Sequence, residues 1–141
     1  MRARALWTAG AVIASIGVLG TAPTAQARPA APADTTQFCS LPRGSAGFAC
    51  FYSDGDRFSV ADLVADGLRV GVIWQLHGGP QDGRTGECQD ADGANNGNTW
   101  CNYDFPEGSA NAVEFATVAR DGANGAVQVH GDPVIGYVSG R

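Results

Sequence analysis

The sequence predicts an all-β fold, a small antiparallel β-sandwich or barrel stabilised by two disulfides, and three observations carry that prediction. Over residues 68–76 the large apolar residues Leu68, Val70, Val72, Trp74 and Leu76 alternate with mostly small or polar ones, the period of a half-buried strand. Twenty glycines, with many Asn and Asp, cut the chain into short segments and leave no window rich enough in strong helix formers for a helical bundle. Four cysteines, Cys39, Cys50, Cys88 and Cys101, all follow the N-terminal leader, an even number suited to an oxidising compartment.

The leader comes first. Arg2 and Arg4 precede an apolar stretch over 6–19, which is short of the ~20 residues that span a bilayer. Ala25-Gln26-Ala27 supplies the small residues a signal peptidase accepts, so 1–27 is expected to be a signal peptide. Ala3 separates the two arginines, which breaks the twin-arginine pattern and points to general secretion into the extracellular space. Residues 28–37, rich in Ala, Pro and polar residues, read as a disordered arm, and 38–141 as the β domain. After cleavage the chain keeps seven Arg, no Lys and fourteen Asp plus Glu, a formal net charge of −7 against −5 for the whole. Such a balance argues against nucleic acid, which needs cations on its phosphates, and against an anionic membrane surface. A monomer is expected.

Strands are expected at 48–53, 68–76, 99–105, 113–120, 126–130 and 134–139, each bounded by Gly, Pro, Asn or Asp. Between the first two, one short helix and an irregular loop are both open. Ser59 can cap a helix, Asp62 suits its first turn, Val60, Leu63 and Val64 form an apolar stripe, and Asp66-Gly67 ends it. On 99–105, alternation puts Tyr103 and Phe105 on the face of Cys101, the core face, and leaves Trp100 with Asn102 and Asp104.

Three disulfide pairings are possible. The expected one is Cys39–Cys50 with Cys88–Cys101, because each staples a short Gly-rich loop, contributing about 3 kcal/mol in the chain-entropy model. Ten and twelve intervening residues lack the close C-x₂₋₄-C pairs of structural zinc.

For chemistry, His77 and His130 sit at strand ends, and the chain has neither a G-x-S-x-G elbow nor an H-E-x-x-H helix. Both disulfides together leave no thiol nucleophile. Asp90, Asp92 and Asn95 alternate oxygen side chains around Gly93, the ligand type that Ca²⁺ takes, although the EF-hand register is absent. A self-satisfied surface loop is the simpler account of the same residues; apart from calcium, no cofactor is indicated. Trp100 is the aromatic best placed to stack on a sugar or peptide. Arg43, on the loop stapled by Cys39 and Cys50, and Arg84, in the next Gly-rich loop, are the side chains a proteinase inhibitor would present preorganised.

Phe48-Ala49-Cys50-Phe51-Tyr52-Ser53, with Cys39 before it and Gly55 after it, resembles the opening of the small Streptomyces metalloproteinase inhibitors. That resemblance implies a βγ-crystallin-like sandwich with two disulfides and an inhibitory activity. The segments 66–74, 86–88, 90–95 and 101–104 are similar to small secreted actinomycete proteins of unassigned activity, which implies export and a compact β fold. The reading that joins these observations is a secreted, non-catalytic binding or interaction module for an extracellular protein or polysaccharide. A proteinase inhibitor and a small secreted hydrolase are the alternatives.

Overall fold

The structure, a computed structural model, describes residues 36–42, 44 and 46–139. The expected signal peptide, arm residues 28–35 and Arg43 lie outside the described residues. The described chain forms β1 (Gln37–Ser40), β2 (Gly47–Tyr52), β3 (Arg57–Asp62), β4 (Arg69–His77), β5 (Thr85–Gln89), β6 (Thr99–Asn102), β7 (Ala112–Arg120), β8 (Val127–His130) and β9 (Val134–Tyr137). They build two antiparallel sheets that pack as a sandwich. One has the order β1-β2-β3-β6; the other runs β5-β4-β7-β8, with β9 pairing β7 along the same edge as β8.

Period-two patterning explains β4. Val70, Val72, Trp74 and Leu76 are all buried, while Ile73, Gln75 and His77 turn to the opposite face. Leu68 stays outside the strand and is only half-buried. The short helix considered after residue 59 does not form. Phe58 and Val60 alternate into the core as part of β3, and Leu63 and Val64, the rest of the supposed stripe, are exposed. Among the described residues the helical content is a single 3₁₀ turn at Gly79–Gln81. β1, β3 and β5 add strands to the six expected, and β1 takes in Gln37 from the segment read as arm.

β6 ends at Asn102, earlier than expected, because Asp56 captures the chain beyond it. The carbonyl of Asp56 accepts the Tyr103 N–H and its Oδ2 accepts the Phe105 N–H, both at 2.9 Å. Tyr103 and Phe105 nevertheless reach the core, where Trp74 packs edge-on against both at 4.9 and 5.0 Å between ring centroids. Phe51, Phe58, Phe105 and Phe115 form its centre, and such aromatic contacts contribute about 0.5–1.5 kcal/mol each beyond area burial. Gly86 faces Trp74, and a Cβ there would lie 2.2 Å from the indole ring, so only glycine admits the indole at this position.

The two disulfides have different roles. Cys39–Cys50 joins directly opposed residues of β1 and β2 on the open face of the four-stranded sheet. Cys88–Cys101 joins β5 of one sheet to β6 of the other across the core. Among the described residues no helix is long and apolar enough to cross a membrane.

Candidate functional site

Strand alternation places one set of β4 and β7 side chains in the core and the other set on the open face of the five-stranded sheet. Register then fixes their neighbours on that face. Thr85, Gln75, Glu114 and Ile135 lie in one row across β5, β4, β7 and β9; Glu87, Ile73 and Ala116 lie in the next; Gln89, Gly71, Val118 and His130 in the one after.

Two polar clusters close the ends of this face. At one end Arg120 reaches Glu87 at 2.7 Å, Gln89 donates to Glu87 at 3.0 Å, and Arg69 donates to Gln89 at 3.3 Å. This ion pair crosses β4 above Gly71, where a Cβ would crowd Gln89 at 3.3 Å. At the other end His77 Nε2 lies 2.9 Å from Glu114 Oε2, both side chains remaining near half exposure.

Between the clusters lies a groove of about 810 Å³, within the size range of ligand sites. Ile73 and Ala116 contribute its apolar floor, and Gln75, Thr85, Glu114 and His130 line it with amide, hydroxyl, carboxylate and imidazole groups. Ile135 and Tyr137, both exposed, extend the apolar surface along β9.

Chemically the groove can hold and hydrogen-bond a ligand. Its His–carboxylate contact joins β4 to β7, where the register partners of His77 and Glu114 are Ala112 and Gln75. Its two carboxylates are held by different partners, Glu87 by Arg120 and Glu114 by His77, at opposite ends.

The residues singled out from sequence are dispersed. Trp100 is 47% exposed on the open face of the four-stranded sheet, on the opposite side of the sandwich from the groove. Its ring lies 5.3 Å from that of Tyr52, and the Arg57 guanidinium sits over both, 5.1 Å from Trp100 and 5.7 Å from Tyr52. Arg84 folds back on the molecule. It caps the edge of the core over Trp74 and Phe105, at 5.7 and 5.9 Å, and donates to Gln81 Oε1 at 2.6 Å.

Asp90 is buried and occupied. Its carboxylate accepts the N–H groups of Asp62 at 2.9 Å and Asp92 at 3.1 Å, and the Thr99 hydroxyl at 3.1 Å. It thereby pins the loop between Cys88 and Cys101 to β3. Asp92 is exposed, and Asn95, in the left-handed region at φ 65°, donates its N–H to the Asp62 carbonyl. Among the described residues no group of three or more His, Cys, Asp or Glu is arranged around a common metal position.

Asp56 is an acid whose titration is shifted upward by its surroundings. Burial pushes its carboxyl above the ordinary carboxylate range, Glu107 and Asp104 push the same way, and the Phe105 N–H pulls against them. It lies under the turn that ends β6 and has a structural task there.

Apart from His130, the groove residues were not prominent in the sequence because none belongs to a motif. Their signal is the complementary half of the alternation: Ile73, Gln75 and His77 are the odd positions of β4, and Glu114 and Ala116 are out of phase with the buried Val113 and Phe115. No family model, curated protein or solved structure matches this chain.

Proposed function

We propose that this chain is a secreted, non-catalytic binding module that takes an extended segment of an extracellular protein in the groove on the five-stranded sheet. The observation that supports this most directly is the groove itself, an apolar floor of Ile73 and Ala116 bordered by Gln75, Thr85, Glu114 and His130. An extended peptide alternates side chains every residue, so apolar groups can meet the floor while the rim serves its polar groups. Export rests on the leader over 1–27 and accords with the two disulfides.

Site-specific photo-cross-linking tests the reading. A benzophenone side chain is placed at Gln75 or Thr85, and as a control at Asp121, in the exported chain mixed with its own culture fluid. The expected result is one protein adduct common to the two groove positions, absent from the control and suppressed by excess unlabelled chain. Equal labelling at Asp121, or no adduct from the groove, contradicts it.

A further inference from the structure

The geometry points to a second ligand site, on the opposite side of the sandwich from the groove, where Trp100, Tyr52 and Arg57 form a platform for a carboxylate-bearing sugar ring in an acidic polysaccharide. Four observations converge there. The chain is acidic overall, at −5, yet the strand positions on this face, from Gln37 and Tyr52 through Arg57 and Ser59 to Trp100 and Asn102, carry no acid and one cation. Among the described residues Arg57 has no carboxylate partner, and its Nε is buried without a hydrogen-bond partner. Its guanidinium is instead stacked over two rings, which fixes its plane and leaves its fork as a ready bidentate partner for a carboxylate. Beside Trp100 in the register, on the adjacent strand, lies Ser59, fully buried, with a hydroxyl that also lacks a partner.

The flat, exposed face of Trp100 suits the apolar face of a pyranose ring. Asn102, exposed in the row of Tyr52 and Arg57 and two residues from Trp100 on β6, supplies an amide for its hydroxyls. The overall acidity does not cancel the local preference, because charges beyond about 8 Å are largely screened at physiological ionic strength. Arg57 at contact distance therefore decides the sign of the interaction. This reading does not rest on the groove.

Affinity electrophoresis of the exported chain through gels containing polygalacturonate or neutral dextran tests it. Polygalacturonate is expected to retard the wild type and dextran not. Trp100→Ala and Arg57→Gln are each expected to weaken retention about tenfold or more. Trp100 is exposed, so its variant keeps the proposal falsifiable even if Arg57→Gln fails to fold. Absence of retardation by polygalacturonate, equal retardation by dextran, or undiminished retention of Trp100→Ala overturns the proposal. So does retention that Gln75→Arg abolishes and Trp100→Ala leaves intact, since it would place the polymer in the groove.

Discussion

Ser40 and Thr117 tie the two sheets together through a reciprocal pair of hydrogen bonds: the Thr117 N–H donates to Ser40 Oγ at 3.0 Å, and the Thr117 hydroxyl donates to the Ser40 carbonyl at 2.7 Å. Both residues are buried. The pair fills a gap in the ladder, because β7 meets β9 over 112–115 and β8 over 118–120, so the Thr117 N–H has no strand partner of its own. Ser40→Ala leaves that donor buried and unpaired, at an expected cost of about 1–3 kcal/mol. Urea denaturation measures it, and a loss below about 0.5 kcal/mol, the usual scale of a surface substitution, would contradict the role assigned to the pair.

Gly86 carries a prediction about packing. A methyl group there meets the Trp74 ring at 2.2 Å, and the ring is itself enclosed by Tyr103 and Phe105. Gly86→Ala is expected to destabilise by about 1–3 kcal/mol, as overpacking does, and to shift the Trp emission. Since Gly86 also lines the groove, the same variant is expected to impair binding.

Asp56 predicts a pH dependence with a definite sign. Its carboxyl is raised in the folded protein, chiefly by burial, so the fold favours the protonated form. The stability this contributes is fully present below the unfolded carboxylate pKa of about 3.9 and is lost as pH rises through the higher folded value. Asp56→Asn mimics the protonated group, keeps an acceptor for the Phe105 N–H, and suits the φ of 46° at this position. The variant is expected to melt higher than the wild type at pH 7, with the difference vanishing near pH 3. A lower melting temperature at pH 7 would show that the ionised form is the stabilising one.

Asp90 predicts what the loop between Cys88 and Cys101 does with calcium. Its carboxylate already accepts three hydrogen bonds, and a cation would compete with all of them. Millimolar Ca²⁺ is therefore expected to leave the melting temperature unchanged. Asp90→Asn, which puts an N–H₂ where an acceptor is needed, is expected to lower stability by about 1–3 kcal/mol. A rise in melting temperature with Ca²⁺ that Asp90→Asn removes would instead assign the carboxylate to the ion.

How much of this was legible in the sequence depended on whether neighbours along the chain or across the sheets set the outcome. Alternation is local, so the inward face of β4, the outward Trp100 and the inward Tyr103 and Phe105 could all be read directly. The disulfide pairing followed loop length and agrees with the structure. β3 was harder, because Ser59, Asp62 and the apolar residues around them satisfy helix rules and strand rules alike. The contact of Phe58 with Phe115 on the other sheet, at 5.2 Å, belongs to a choice that no local window contains. The partners of Asp90 were hidden for the same reason, since its hydrogen bond from the Asp62 N–H comes from 28 residues away. The groove needs the register of β5, β4, β7 and β9 together, which is tertiary information.

The most direct test of the groove as the binding surface is an amide NMR titration of the ¹⁵N-labelled exported chain with the protein segment recovered from the cross-linked adduct. The expected result is saturable shifts centred on Ile73, Gln75, Thr85, Glu114 and Ala116, with the amides of β1 and β2 unmoved. Shifts centred on any other surface, or none at saturating segment, would contradict the assignment.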